Sequence, residues 1–121
     1  MIFSSKLLKR STPISDFDSF YEKWKSRGFS DDHIGKMLVE LEEPEWSYRY
    51  ALKVLHGRFP EGETAIASDA EWSYCYALNV LHARFPEGET AIASDPEWSY
   101  RYALNVLKLS VQEAEKWKPG L

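Results

Sequence analysis

The chain has 121 residues, 44% of them hydrophobic and 15% aromatic, with five Trp and seven Tyr, enough apolar surface for one compact domain or one short repeat array and too much for a disordered chain. The formal charge of −4 is uneven, +1 over residues 1–40 and −5 over 41–121, which excludes the basic footprint of a duplex-binding domain. No run approaches the ~18 apolar residues of a membrane span, and a single cysteine, Cys75, excludes an intrachain disulfide and suits a reducing, cytoplasmic setting.

Residues 1–10 carry Lys6, Lys9 and Arg10 but lack the apolar region and small-residue cleavage site of a secretory signal, so they read as a frayed or docking arm. Phe17 to Gly28 reads as a helix, followed by FSDDHIGKMLVELEEPEW; together residues 1–43 form the arm and a divergent capping hairpin. From Phe29 to Trp46 is 17 residues, against 13 from Phe59 to Trp72 and from Phe85 to Trp98, so the second helix of this opening hairpin is expected to be about one turn longer.

A 26-residue repeat follows. Segments 44–69 and 70–95 align without gaps and differ at only four of 26 positions. The third, 96–121, keeps PEWSYRYALNVL and then drifts, departing at Ser110 and Val111 where Arg and Phe are expected, as a terminal capping unit should. Within 44–57, at about 100° per residue, Glu45, Arg49, Lys53 and His56 form a narrow polar stripe. Trp46, Ser47, Tyr48, Tyr50, Ala51, Val54 and Leu55 fill the remaining arc. An apolar arc this wide belongs to a helix with neighbours on several sides. Asp95-Pro96-Glu97 supplies an N-cap and a proline at the first helical position, while Ser68 with Glu71 offers a capping box one residue earlier; both registers stay open. Gly57 is expected to end the first helix and Pro60 to start a short second one, with Phe59 as a plug between helices. Helices of about two turns are marginal alone, so stability must come from stacking. The expected fold is all-α, a short α-solenoid of about four stacked helical hairpins in one structural domain.

The pattern SYxYALxVLxxRFPEGExAIAxDPEWSYxYA, between Ser47 and Ala103, resembles short tandem repeats of tailed-phage and giant-DNA-virus proteins. The resemblance covers roughly two thirds of the chain. It implies a viral or phage-related origin and brings no catalytic residues.

Chemistry is sparse. His33, His56 and His82 have no metal-ligand spacing, and stacking would set the equivalent His56 and His82 about 10 Å apart, too far to share a zinc ion bound at ~2 Å. No phosphate loop, nucleophile elbow or Ser/His/Asp arrangement is present, so neither an enzyme nor a cofactor is expected. Glu61, Glu63, Glu87 and Glu89 would line one acidic edge, complementing helix N-termini and pairing with Arg58 and Arg84, or imitating a nucleic-acid backbone. Trp46, Trp72 and Trp98 form a ladder that suits core packing better than base stacking, which needs a basic groove. The copies differ mainly along the polar stripe, so Arg49, Lys53, His56, Cys75, Asn79, His82, Arg101 and Asn105 either drift freely or form a partner-binding face anchored by Arg49 and Arg101. The expected function is non-enzymatic binding, and inhibition, of a host protein in the host cytoplasm; the alternatives are a self-associating structural component and an acidic nucleic-acid mimic.

Overall fold

The computed structural model describes residues 16–120; the arm at residues 1–10 lies outside the described residues. It is all-helical, with eight helices packed together and no strand among the described residues. The opening hairpin is α1 (Phe17–Ser26), capped by Asp16, and α2 (Asp31–Leu41), capped by Ser30. Phe17, Phe20 and Trp24 turn inward from α1, and Ile34, Met37, Leu38 and Leu41 from α2, each set at the three- and four-residue spacing of one helix face.

Each repeat then gives a long and a short helix. In the first, α3 (Pro44–Tyr50) runs without a break into a π turn over Ala51–Leu55, and a 3-10 turn (Pro60–Gly62) leads into α4 (Glu63–Ala67). The second repeats this with α5 (Ala70–Tyr76), a π turn (Ala77–Leu81), a 3-10 turn (Pro86–Gly88) and α6 (Glu89–Ala93). The third has α7 (Pro96–Asn105) and α8 (Val111–Lys116). At 11 residues, α2 exceeds the three plus five of the 3-10 turn and α4 by close to the turn that the Phe29–Trp46 spacing requires.

The carboxylates of Asp69 and Asp95 accept the Trp72 and Trp98 amides, which settles the N-cap register in favour of the aspartates. Ser68 instead closes the preceding helix, its hydroxyl donating to the Ala65 carbonyl at 2.6 Å. The expected C-terminus at Gly57 is off by one residue. His56 (φ 54°) holds the left-handed position, as do His82 (φ 53°) and Lys108 (φ 61°) in the other copies. The Gly57 amide closes onto the Ala51 carbonyl, six residues back, because the last turn is π-wide. A Cβ on Gly57 would meet nothing nearer than 4.0 Å, which is why Ala83 serves in the second copy. Gly62 and Gly88 are different: a Cβ would lie 2.5 Å from the Phe59 ring in one and 2.5 Å from Ser73 Oγ in the other.

Helix α1 packs on α3, α3 on α5 and α5 on α7, and the apolar core runs from Phe17 to Trp117 without interruption. Phe59 is buried against Tyr50 with ring centroids 4.7 Å apart, and Phe85 against Tyr76 at 5.0 Å. In the last unit the missing Phe is replaced from further along the chain: Trp117 packs on Tyr102 at 5.3 Å, while Ser110 and Glu113 form a reciprocal capping box for α8.

Candidate functional site

The polar stripe of the sequence is divided among the junctions between units. Lys53 Nζ lies 3.0 Å from Asp18 of α1. At the same repeat position Asn79 donates to the Tyr48 hydroxyl at 3.0 Å, and Asn105 to the Tyr74 hydroxyl at 2.8 Å. The change from Lys to Asn follows the preceding unit, which offers a carboxylate in the first case and a phenol in the others. Arg49 pairs with Glu45 at 2.8 Å and lies 5.6 Å from the Trp72 ring centre, in the next unit. Arg101 pairs with Glu97 at 2.7 Å and covers its own Trp98 at 5.1 Å. Cys75, at the position equivalent to Arg49 and Arg101, is half-buried; burial and then the nearby Glu71 push its thiol up to about 11, away from thiolate reactivity. His56 and His82 are exposed, but as the left-handed closing residues of their helices. Of the eight stripe residues, Lys53, His56, Asn79, His82, Arg101 and Asn105 are exposed and Arg49 and Cys75 half-buried, several of them also tied to a neighbouring unit.

The acidic edge needs a firmer correction. Glu61 and Glu87 are exposed, whereas Glu63 and Glu89 are buried, 8% and 5% accessible. Each is the centre of a contact that joins two units. Glu63 takes a bidentate pair from Arg58 at 2.9 and 3.0 Å, and the Tyr76 hydroxyl of the following unit donates to it at 2.5 Å. That hydroxyl also accepts the Phe59 amide at 2.9 Å. Arg84, Glu89, Tyr102 and the Phe85 amide repeat this set, with the phenol 2.6 Å from the carboxylate. Burial alone would raise both glutamates, but the arginine and tyrosine hydrogen bonds outweigh it and hold them below the usual carboxylate value. A carboxylate that loses its bidentate arginine and its phenol would be left charged inside the protein, so these residues join units and do not present charge to solvent.

The tryptophans join units as well. Trp46 packs on Phe20 at 4.9 Å, Trp72 on Tyr48 at 5.5 Å and Trp98 on Tyr74 at 5.5 Å, each on a ring of the unit before it. Among the described residues no group of three His, Cys, Asp or Glu converges as a metal site, and no helix is long and apolar enough to cross a membrane.

Sequence reasoning missed Val39, which lies off the buried face of α2 and is 37% exposed, and Leu55, 41% exposed at the end of the π turn. Both border a groove between α2 and the first repeat. The four-residue surplus before Trp46 was the signal that this junction differs from the others. Comparison with protein-family models, with curated proteins and with solved structures found no match.

Proposed function

We propose that the chain is a short α-solenoid of four stacked hairpins that acts by binding another protein, without catalysis. The observation that carries this reading is the identity of the junctions: the Arg-Glu-Tyr contact, the Asn–Tyr hydrogen bond and the Trp–Tyr packing recur between the first and second repeats and between the second and third. A contact set that repeats in register supports translational stacking, and stacked hairpins offer a continuous surface larger than any one of them. The resemblance of the repeats to those of phage and giant-virus proteins supports a viral setting, with a host protein as the partner in the host cytoplasm and inhibition as the outcome of binding.

The test is saturable binding. Immobilised protein should retain a defined partner from host lysate, and the purified pair should bind with a stoichiometry measurable by calorimetry. An Arg49→Glu/Arg101→Glu chain should keep its helical spectrum and lose its partner if these partly exposed arginines anchor the binding face; a partner retained unchanged would remove that face from the function. If no partner is retained while sedimentation shows concentration-dependent oligomers, the self-associating structural reading replaces this one.

A further inference from the structure

Two of the three large apolar side chains most exposed among the described residues, Val39 and Leu55, border one groove. It encloses about 400 Å³ between α2 and the end of the first π turn, with the buried rings of Tyr50 and Phe59 in its wall. Past Val39 and Glu61, which line both, it continues into a second hollow of about 380 Å³ bordered by Glu42, Thr64 and Ala65. The two ends differ in charge. At the first, Lys36 has Asp32 beside it at 3.4 Å and Arg58 has Glu63 at 2.9 Å. The second is bordered by Glu42 and Glu61 and by no cation, and neither glutamate makes an ion pair among the described residues.

The groove lies at the junction where the repeated contacts change. Tyr50, equivalent to Tyr76 and Tyr102, turns its hydroxyl to the Asp31 carbonyl at 2.7 Å, since α2 offers no glutamate there. Ser47 Oγ, equivalent to the hydroxyl by which Ser73 grips the Ile66 carbonyl at 2.8 Å, is fully buried without a hydrogen-bond partner. The contacts of α2 with the first repeat thus differ in kind from those between repeats, and beside them Val39 and Leu55 leave apolar surface open next to Glu42 and Glu61, which make no ion pair among the described residues.

We infer that this groove is the binding surface for a protein segment presenting a bulky apolar side chain followed by basic residues. The apolar group sits between Val39 and Leu55 and the cation faces Glu42 and Glu61. Apolar walls supply affinity, and the unpaired carboxylates supply choice of partner, since a basic residue gains there what an acidic one loses. The inference rests on the protein-binding reading and specifies its surface.

The probe is an N-acetylated hexapeptide containing tryptophan followed by two arginines, titrated into the 15N-labelled full chain beside a counterpart with glutamates for the arginines. The arginine peptide should shift the amides of Val39, Leu55, Glu61 and Ala65, with a dissociation constant on the order of 1 mM, the range of a weak single-anchor contact. The glutamate peptide should bind at least about fivefold more weakly, a preference that added salt erodes. Glu42→Gln/Glu61→Gln should remove the preference and keep the binding; Val39→Ser/Leu55→Ser, checked for helicity, should weaken both peptides about tenfold. Equal affinity for the two peptides, or shifts confined to other amides, would overturn the inference. The chain's own Leu7-Leu8-Lys9-Arg10 run carries the same chemistry. Full-length Lys9→Glu/Arg10→Glu should bind the arginine peptide as wild type does; a tenfold gain would assign the groove to the chain's own N-terminal segment and overturn an external partner. A lysate protein retained equally by wild type and Val39→Ser/Leu55→Ser would leave protein binding standing and remove the groove from it, whereas failure of both to retain any protein would count against the function, with the titration still deciding the groove.

Discussion

Ser47 and Ser73 occupy the same position in successive units and are both fully buried, yet only Ser73 finds an acceptor, the Ile66 carbonyl of the unit before it. A buried hydroxyl without a partner carries the full cost of losing water, about 1–3 kcal/mol, while a made hydrogen bond contributes about 1 kcal/mol. Ser47→Ala should therefore be neutral to stabilising and Ser73→Ala destabilising by about 1 kcal/mol, measured as urea midpoints; equal losses would contradict this account. The buried glutamates give a pH dependence. Their folded values are depressed, so the stability they contribute is complete above the unfolded glutamate value, about 4.3, and is lost as pH falls through the folded one. Glu63→Gln/Glu89→Gln should be less stable than wild type at pH 7, and the gap should narrow below about pH 4.5; a gap that stayed constant would exclude the ionised contact. The pairing of Glu63 with Arg58 was readable from charge and spacing. Its burial was not, because the tyrosine that completes the contact is 13 residues away in the next unit and looks, in sequence, like one more core aromatic.

At the scale of the elements, the repeat period, the long-short alternation of helices, the proline starts and the longer α2 were all legible, since each rests on local spacing or on a residue with a fixed backbone preference. The helix ends were less so. A glycine stood beside the true closing residue, and the π-wide last turn moved the left-handed position onto His56. Histidine, unlike glycine, pays a conformational penalty there. His82→Gly should thus raise stability by about 0.5–1 kcal/mol, read as a higher melting temperature, whereas Ala83→Gly, at a site of ordinary φ, should lower it. The stripe read as a recognition face also has contacts that the sequence did not show. On a helix with neighbours on several sides, polar residues serve neighbours too, and which of them do so depends on tertiary packing that a wheel drawn for one helix omits.

For the molecule as a whole, equivalence of the junctions has a direct test. Removing residues 70–95 would join Asp69 to Pro96 and bring Tyr102 to Glu63, Asn105 to Tyr48 and Trp98 to Tyr48, the same contacts now made one unit apart. The shortened chain should remain helical and unfold cooperatively, losing about 1–4 kcal/mol at roughly 0.05–0.15 kcal/mol per residue removed. An unfolded product would argue against stacking of equivalent units. The two ends are not interchangeable in this way, because Lys53 fits only Asp18 and Trp117 replaces a phenylalanine that the last unit lacks.

Interchangeable partners also bear on how the native state is reached. During folding Glu63 meets two tyrosines of equal fitness, Tyr76 and Tyr102, and a chain that closes on the second loops out a whole unit while leaving no hydrogen bond of that contact unmade. The slipped form lies close to the native one in local quality and is separated from it by the apolar surface that the omitted hairpin would bury. Near-perfect duplication, which makes the two repeat–repeat junctions alike, is thereby expected to add a slow refolding phase from chains that must break a fully formed contact, and its absence in stopped-flow refolding would exclude the slipped form.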